Sequence, residues 1–502
     1  MTSLLWLRLD LRLADNPALH AASKRNRPVV AVFIHSPQEE APWEPGGASR
    51  WWLHQSLAAV DGELRARGSR LVIRRGPSLE VLRGLIKETG ANELFWNRRY
   101  EPAVIARDQK IKAVLRTQGL EVESFNGGLL HEPWTVQNQS GEPFHVFTRF
   151  WKYCLTKPDA ADPLPTPRRL LAPQSWPESL PLDALELEPK IDWAQGIRDV
   201  WKPGAAGAHV QLERFLREAV GKYSSDRDRP ALVGTSRLSP HLHFGEITPR
   251  QIWHAVRRQA ERNSVYGWRS SQFLTELGWR EFSHHLLYHF PLTSIEPMRA
   301  EFKEFPWRKD QRQLKAWQEG RTGFPIVDAG MRELWTTGWM HNRVRMIVAS
   351  FLVKDLLIPW QDGARWFWDT LVDADLAQNT LGWQWSAGCG ADAAPYFRVF
   401  NPLNQGAKFD PDGAYVRRWC PELAKLPNEW IHQPWAAPSS ALAHAGVKLG
   451  RDYPEPIVDH RCAREIALGA FDKIKERCKF KSKQSFPPEK ARRHRKKSVP
   501  RA

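Results

Sequence analysis

The sequence predicts an N-terminal α/β domain with a doubly wound parallel sheet, followed by an all-α domain. Three observations predict this class. Short apolar segments alternate with helical patterns over the first ~130 residues, which is typical of a parallel sheet covered by helices on both faces. A proline-rich stretch follows. From about residue 206 the apolar residues recur with a helical period, and strand signals are few.

Five segments of the first domain are predicted as strands because they are short, apolar and often β-branched. They are Ser3–Leu7, Val29–Ile34, Arg70–Ile73, Glu93–Trp96 and Val122–Phe125. The helical patterns between them are Pro17–Ser23, Ser49–Arg67, Ser78–Glu88 and Ala103–Thr117. No GxGxxG motif follows the first strand, so this domain is not expected to hold a dinucleotide in the Rossmann manner.

The composition divides the chain into four parts. Residues 1–131 form the α/β domain, and 132–205 form a proline-rich connector with one helix around Phe147–Cys154. Residues 206–475 form the helical domain, in which Trp268–His289 and a segment starting near His341 are strong helices. Residues 476–502 form a basic tail that is expected to be disordered.

The composition also limits the functional class. The net charge of +17 favours a polyanionic partner, although 13 of the Lys and Arg residues lie between positions 473 and 501. The five cysteines include no CxxC pair and the histidines form no HExxH motif, so no metal site is expected. The same cysteine pattern is expected of a protein in a reducing cytoplasm. There is no signal peptide pattern and no membrane-spanning apolar run. Tryptophan is unusually frequent, with 25 Trp against 8 Tyr.

Two predicted helices carry side chains that suit substrate binding. On the first, a carboxylate, a flat ring, a cation and a hydroxyl recur at helical spacing and share one face; they are Glu276, Trp279, Arg280 and Ser283. An exposed Glu276–Arg280 ion pair is the alternative interpretation. On the second, Asn342, Arg343 and Met346 point to roughly one side, although Met is commonly core filler.

Acidic and hydroxyl residues form two further groups. Asp373 and Asp375 precede Asn379, and Arg345 could neutralise one of the acids. Paired carboxylates suit acid–base chemistry or a structural salt bridge. The run Thr235–Ser239 places small hydroxyls and a cation before a helical segment, where they could bind phosphate oxygens or cap the helix.

These residues lie in ordered blocks that resemble the DNA photolyase/cryptochrome family. The closest blocks are TGFPIVDAGMREL at 322–334, NRVRMIVASFLVKDLLIPWQ at 342–361 and DADLAQNTLGWQWSAGCGADAAPYFRVFNP at 373–402. The resemblance spans roughly residues 3–470. It implies an α/β domain joined to a helical domain that binds FAD, the photolyase fold. It also implies light-driven repair of cyclobutane pyrimidine dimers flipped out of DNA, with a cryptochrome-like photoreceptor as the alternative.

The resemblance implies a role for each matching residue. The cofactor residues would be Tyr223, Thr235, Ser236, Arg237, Leu238, Ser239, Arg345, Asp373, Ala374 and Asp375. Asn379 would sit beside the reactive flavin nitrogen, and the electron-hopping chain would be Trp383, Trp360 and Trp307. Glu276 would hydrogen-bond the damaged bases. The other DNA contacts would be Arg227, Trp279, Arg280, Asn342, Arg343, Met346, Trp385 and Gln405.

Within the family, Asn342 and Met346 resemble the type that repairs cyclobutane dimers, and Asn379 resembles repair enzymes. A class I type is expected. An antenna chromophore is also implied, with methenyltetrahydrofolate ranked before deazaflavin, although Lys110 departs from the carboxylate of many folate binders. The expected protein is a cytoplasmic monomer that acts on UV-damaged DNA.

Overall fold

A computed structural model describes residues 2–393 and 397–484. Within these ranges five strands form one parallel sheet in the order β3-β2-β1-β4-β5. The strands are β1 (Thr2–Leu7), β2 (Val29–His35), β3 (Leu71–Arg75), β4 (Ala91–Asn97) and β5 (Glu121–Phe125). Helices α1 (Pro17–Lys24), α2 (Gly47–Arg65), α3 (Ser78–Thr89) and α4 (Pro102–Thr117) connect them. The predicted doubly wound sheet is confirmed.

The sheet is buried on both faces, which explains its apolar strands. In β1, Leu5 and Leu7 belong to one hydrophobic core, whereas Leu4 and Trp6 belong to the core on the other face. This is the two-residue alternation of a strand with no solvent-facing side.

Beyond the connector the described part of the chain is largely helical, as predicted. The connector carries α5 (Phe147–Thr156) and α6 (Gln195–Val200). The helical domain begins with α7 (Ala205–Glu218), α8 (Tyr223–Asp226), α9 (Ser239–His243), α10 (Pro249–Arg262), α11 (Gln272–His289), α12 (Gln311–Gln318) and α13 (Pro325–Thr337). It continues with α14 (Asn342–Ser350), α15 (Trp360–Thr370), α16 (Leu376–Ala387), α17 (Pro402–Phe409), α18 (Ala414–Trp419), α19 (Ser439–Ala445) and α20 (His460–Gln484).

Three boundaries differ from the predictions for physical reasons. Helix α11 begins at Gln272 rather than Trp268 because the Ser271 side chain caps it. A π-helical turn, Phe351–Asp355, follows α14 directly. Helix α20 runs past residue 475, so the first part of the predicted tail is helical, while residues 485–502 lie outside the described residues. Along the described chain, no helix combines the length and the apolar character that crossing a membrane requires.

A buried carboxylate joins the α/β domain to the helical domain. Glu246 is fully buried and accepts hydrogen bonds from Trp52 Nε1 (3.0 Å) and the Gly204 backbone N–H (2.7 Å). Ser56 and His241 also contact its carboxylate. The preceding residue, Gly245, has φ +63°, and a β-carbon there would lie 2.3 Å from the carbonyl oxygen of Leu9. The close approach of the two domains therefore requires glycine at this position.

We expect Glu246→Ala to lower the free energy of unfolding by about 3–5 kcal/mol, because it leaves buried donors without their acceptor. Thermal unfolding should show a lower midpoint than in the wild type. The exposed Glu261→Ala on α10 is the matched control and should change stability little. Equal stability of the two variants would contradict the structural role of Glu246.

Candidate functional site

A cavity of about 670 Å³ opens among α14, α15 and α16. The sequence-predicted residues that line it come from two separate blocks of the chain. They are Asn342, Arg345, Met346, Asp373, Ala374, Asp375, Asn379 and Trp383. The fold thus brings the amide, the cation, the thioether, both acids and one indole to a single site.

Asp375 holds one wall of this cavity. Its side chain caps α16 by accepting from the Gln378 backbone N–H at 3.0 Å. The same buried carboxylate lies 3.4 Å from His284 Nε2 and 3.7 Å from His243 Nδ1. Burial alone would raise the pKa of Asp375, but the two histidines hold it well below its ordinary value. Burial alone would likewise lower the pKa of His284, yet the Asp375 charge raises it. Each group therefore favours the charged form of the other.

Arg345 and Asp373 form the second ion pair of the cavity, with Nη2 2.9 and 3.1 Å from the two carboxylate oxygens. Arg345 Nε also donates to the carbonyl of Met340 at 2.7 Å. Next to Asn342, His341 caps α14, and burial lowers its pKa to about 4. Its Nε2 has no hydrogen-bond partner within the described part of the chain. This neutral, buried nitrogen, one residue from the cavity-lining Asn342, is a candidate partner for a polar ligand group.

The run Thr235–Ser239 approaches the same region through Trp339. The guanidinium of Arg237, at φ +51°, lies 4.7 Å from the Trp339 ring, and that of Arg345 lies 5.8 Å from it. Trp339 Nε1 donates to Ser239 Oγ at 3.3 Å. The other predicted members of the run are Thr235, Ser236 and Leu238, and Leu238 is buried. Helix α9 has only five residues, so its dipole adds little and the hydroxyls and Arg237 remain the phosphate-binding candidates.

Three predicted tryptophans lie in the core that borders the cavity. Trp383 follows Asn379 by one helical turn, and Asn379 Nδ2 donates to the Ala364 carbonyl at 3.1 Å. Trp360 is buried in the same core, and Trp307 packs half-buried at its edge. Gly363 of α15 faces Trp383 so closely that a β-carbon would lie 2.1 Å from the ring. Sequence reasoning missed Trp317, whose ring centre is 6.1 Å from that of Trp383.

A chain of charges links the two predicted DNA-contacting helices. Glu276 of α11 pairs with Arg227 and accepts from Gln272 Nε2 at 2.8 Å. Asp228, which follows Arg227 in the chain, pairs with Arg343 of α14 at 3.0 Å. Arg343 Nη1 in turn lies 3.7 Å from Met346 Sδ. The expected lesion-binding residues of α11 and α14 are therefore connected through Arg227 and Asp228.

The predicted face of α11 is divided. Arg280 does not pair with Glu276; it is 7% exposed and donates to the Gly128 carbonyl at 2.8 Å. Its guanidinium is therefore bound to the last residues of the α/β domain and does not share the Glu276 surface. Trp279 stacks on Phe147 with ring centres 3.7 Å apart, and buried Tyr223 packs against Phe273. Trp385 lies near Phe400, with ring centres 6.3 Å apart, and Gln405 is half-buried on α17.

The sequence analysis did not identify His243, His284 and Asp228 as partners in these networks. His284 follows Arg280 by four residues, so helical spacing placed it near the candidate face, but the histidines were considered only as metal ligands. No group of His, Cys, Asp and Glu suited to a metal ion occurs within residues 2–393 and 397–484.

Comparisons with known proteins agree with this geometry. The family DNA photolyase matches residues 3–168, and the family described as the FAD binding domain of DNA photolyase matches residues 273–473. A deoxyribodipyrimidine photo-lyase of Agrobacterium fabrum is 50% identical, over 94% of this chain and 98% of its own. The chain belongs to the photolyase/cryptochrome family. Its helical domain is the family's FAD-binding domain, and the donor set of the cavity fits that cofactor.

Two further relatives refine the family assignment. Cryptochrome-1 of Arabidopsis thaliana is 44% identical, over 91% of this chain and 68% of its own. The crystal structure of a bacterial class III photolyase from Agrobacterium tumefaciens has 50% identity and a TM-score of 0.91, covering 95% of this chain and 98% of its own. The expected class I type is therefore not supported, because a relative this similar is a class III photolyase.

We expect Asp375→Asn to destabilise the protein most near pH 5.5. The contribution of Asp375 is lost as pH falls below its ordinary pKa of 3.8, because its folded pKa is lowered. The contribution of His284 is present below its ordinary pKa of 6.5 and is lost as pH rises through its raised folded pKa. Removing one partner of a buried pair costs about 3–5 kcal/mol.

The midpoint of thermal unfolding and the flavin content should be compared at about pH 5.5 and about pH 9. Asp192→Asn, in an exposed ion pair with Arg198, is the matched control. A destabilisation by Asp375→Asn that is the same at both pH values would contradict the ion pair.

Proposed function

We propose that this protein is a deoxyribodipyrimidine photo-lyase, which repairs cyclobutane pyrimidine dimers in DNA with blue light. The proposal is supported by the named photo-lyase at 50% identity over nearly the whole chain. At the finer level we propose the class III type of the similar bacterial structure. We further propose that the protein acts as a cytoplasmic monomer on UV-damaged DNA. The described cysteines are all free thiols, as in a reducing compartment.

The observation that carries the proposal is the charge chain at the cavity. Glu276, Arg227 and Arg343 belong to a charge chain that reaches Met346, which lines the cavity together with Asn342. A flipped-out dimer needs a partner for its base edges and cations for the phosphates on either side. We propose that Glu276 accepts hydrogen bonds from the damaged bases. The residues that bind the phosphates of the DNA backbone would be Arg227, Arg280, Arg343 and Gln405. Arg280 would do so only after leaving the Gly128 carbonyl.

The residues that line the cavity would bind the flavin and shield it from solvent. When bound, reduced FAD supplies the electron that opens the dimer after excitation by light. Arg345 and Asp373 would contact its polar chain, and Asp375 the ring portion. The hydrogen bond from Asn379 to the Ala364 carbonyl orients the amide, which would then lie beside the reactive flavin nitrogen. Tyr223 and the run Thr235–Ser239 would complete the flavin-binding site. Trp279 and Trp385 would line the cavity that holds the dimer.

A cryptochrome-like photoreceptor is the second candidate function. It is favoured by the 44% identity to a plant cryptochrome. Asn379 argues against it, because plant-type light sensors of this family tend to carry Asp at that position. The repair assay described below separates the two, since a pure receptor would leave the dimers intact.

We propose an antenna chromophore in the α/β domain, methenyltetrahydrofolate first and deazaflavin second. Two cavities could hold a flat chromophore. One lies beside Arg8, His35, Arg99 and Trp368, and the other is lined by residues that include Trp96, Tyr100 and Trp134. Lys110, the departure from the folate pattern, lines neither cavity and is exposed. A near-ultraviolet band in the purified protein would identify folate, and a redder band deazaflavin.

We expect chemically reduced enzyme under blue light to restore an oligonucleotide that carries one cyclobutane dimer, with no repair in the dark. Glu276→Gln keeps the shape of the side chain but removes its charge, and charged hydrogen bonds contribute about 1.5–3 kcal/mol. Lesion binding should therefore weaken by about 10-fold or more. Repair is measured by chromatography of the oligonucleotide, with Glu261→Gln as the exposed control. Dimers that survive illumination with reduced wild-type enzyme would exclude the photo-lyase function.

We expect Trp383→Phe to impair photoreduction of the oxidised flavin, because phenylalanine fills most of the indole volume but does not give up an electron as readily. Repair by enzyme that is reduced chemically beforehand should be largely retained. The buried Trp253→Phe, in a different hydrophobic core, is the matched control and should photoreduce normally. If chemically reduced Trp383→Phe also failed to repair, the proposed electron-chain role would be wrong or incomplete.

A further inference from the structure

Lys354 is a buried lysine that the proposed mechanism does not use. It lies in the π-helical turn Phe351–Asp355, directly after α14, and is 1% exposed. Its Nζ has no hydrogen-bond partner among the residues that the structure describes, yet it lies 3.2 Å from the centre of the Phe397 ring. Burying an ammonium group is costly unless it is compensated, and here the face of an aromatic ring offsets part of that cost.

The amine lies where four parts of the chain meet. A β-carbon built on Gly388, the C-cap of α16, would lie 3.6 Å from Nζ, and a cation is favourable at that end of a helix. Phe397 stacks on Phe471 of α20, with ring centres 4.4 Å apart and planes at 9°. Lys354 thus joins the turn after α14, the end of α16, the segment around Phe397 and the C-terminal helix.

The segment that Lys354 holds forms a wall beside the proposed lesion site. A second cavity is lined by Met346, Lys354, Trp385, Arg398 and Phe400, among others. It adjoins the flavin cavity, because Met346 and Ser386 line both. Phe400 packs near Trp385, and its backbone N–H donates to Ser350 Oγ at 3.2 Å. The position of the Phe397–Phe400 segment therefore sets the wall that a dinucleotide would meet.

We propose that Lys354 is a positioning residue for lesion binding. Its ammonium group holds the Phe397 ring, and this keeps Arg398 and Phe400 in the wall beside Trp385. The inference rests on the proposed function, because it assumes that this wall contacts a flipped-out dimer. Lys354 itself touches neither DNA nor flavin, so it acts only through the segment that it holds.

The charge state of Lys354 gives the inference a measurable signature. Burial lowers its pKa to about 7, and the neighbouring Cys389 and Asp355 only partly offset this. Cys389 stays neutral, because burial raises the pKa of its thiol to about 12, and Asp355 is paired with His460 of α20. The remaining charged groups around this junction lie on the second cavity, on the segment before Phe305 and on α20; they are Asp392, Arg398, Arg299, Glu301 and Lys475.

The contact with Phe397 needs the protonated amine, so lesion affinity should fall as pH rises through about 7. Stability should change in the opposite direction. An unfolded lysine keeps its proton up to its ordinary pKa of 10.5, so between about 7 and 10.5 the unfolded state binds more protons and stability rises with pH. Replacing Lys354 by an apolar side chain should therefore stabilise the protein below pH 7 while weakening lesion binding.

The test measures binding of a fluorescent duplex with one cyclobutane dimer, in the dark, between about pH 6 and about pH 8.5. Wild-type affinity should fall over this range, and Lys354→Met should bind about 10-fold more weakly than wild type at the lower pH, with no pH dependence. Lys354→Arg, which keeps its charge, should bind the lesion well at the higher pH. Lys475→Met removes an exposed cation from the Phe471 side of the stack and should behave like wild type.

The outcomes separate the inference from the proposed function. If wild-type protein does not prefer dimer-bearing to undamaged duplex, the proposed function fails. If wild type prefers the dimer but Lys354→Met matches its affinity and pH profile, the positioning role is overturned. A lower unfolding midpoint or a lost flavin spectrum in Lys354→Met would also overturn it, because the inference expects a more stable protein with its flavin site intact. Undamaged DNA should bind all four proteins equally.

Discussion

The arrangement of the site depends on the buried carboxylate of Asp375. It caps α16 and pairs with His284 of α11 and His243 of α9. Helix α11 carries Glu276 two turns before His284, and α16 carries Asn379 and Trp383 beyond Asp375. One charge therefore fixes the relative position of the residues proposed for the lesion and those proposed for the flavin. A paired charge is suited to this task, because an unpaired one at the same depth would be expelled or neutralised.

The fold was largely predictable from the sequence. Buried parallel strands leave continuous apolar runs such as Val29–His35, and Asn16 followed by Pro17 marks a helix start that the structure confirms. The site was predictable only in part. Spacing placed Glu276 and Arg280 on one face, but Glu276 pairs with Arg227 and Arg280 turns to Gly128. Such choices depend on which distant segments pack against the helix, and a single element carries no information about its neighbours. The resemblance located the cavity residues because it carries information about tertiary arrangement. It did not identify His243 or Asp228 as ion-pair partners.

The high tryptophan content has a largely structural basis. Most of the indoles fill cores or the junction between domains. Trp6 packs on Trp96 within the sheet core, and Trp52 meets Trp201 near Glu246. Few indoles line the cavity. Composition therefore indicated an aromatic-rich protein correctly, but it could not separate rings that pack from rings with a redox role, because both are large, buried and flat.

The glycine at position 363 has a consequence for the redox properties of the site. Its missing side chain lets α15 rest against the ring of Trp383, while α15 itself begins with Trp360. The distance between α15 and α16 therefore depends on position 363 having a hydrogen atom in place of a side chain. In the proposed electron chain, a substitution at this chemically inert residue would change the spacing of the two rings without altering either indole.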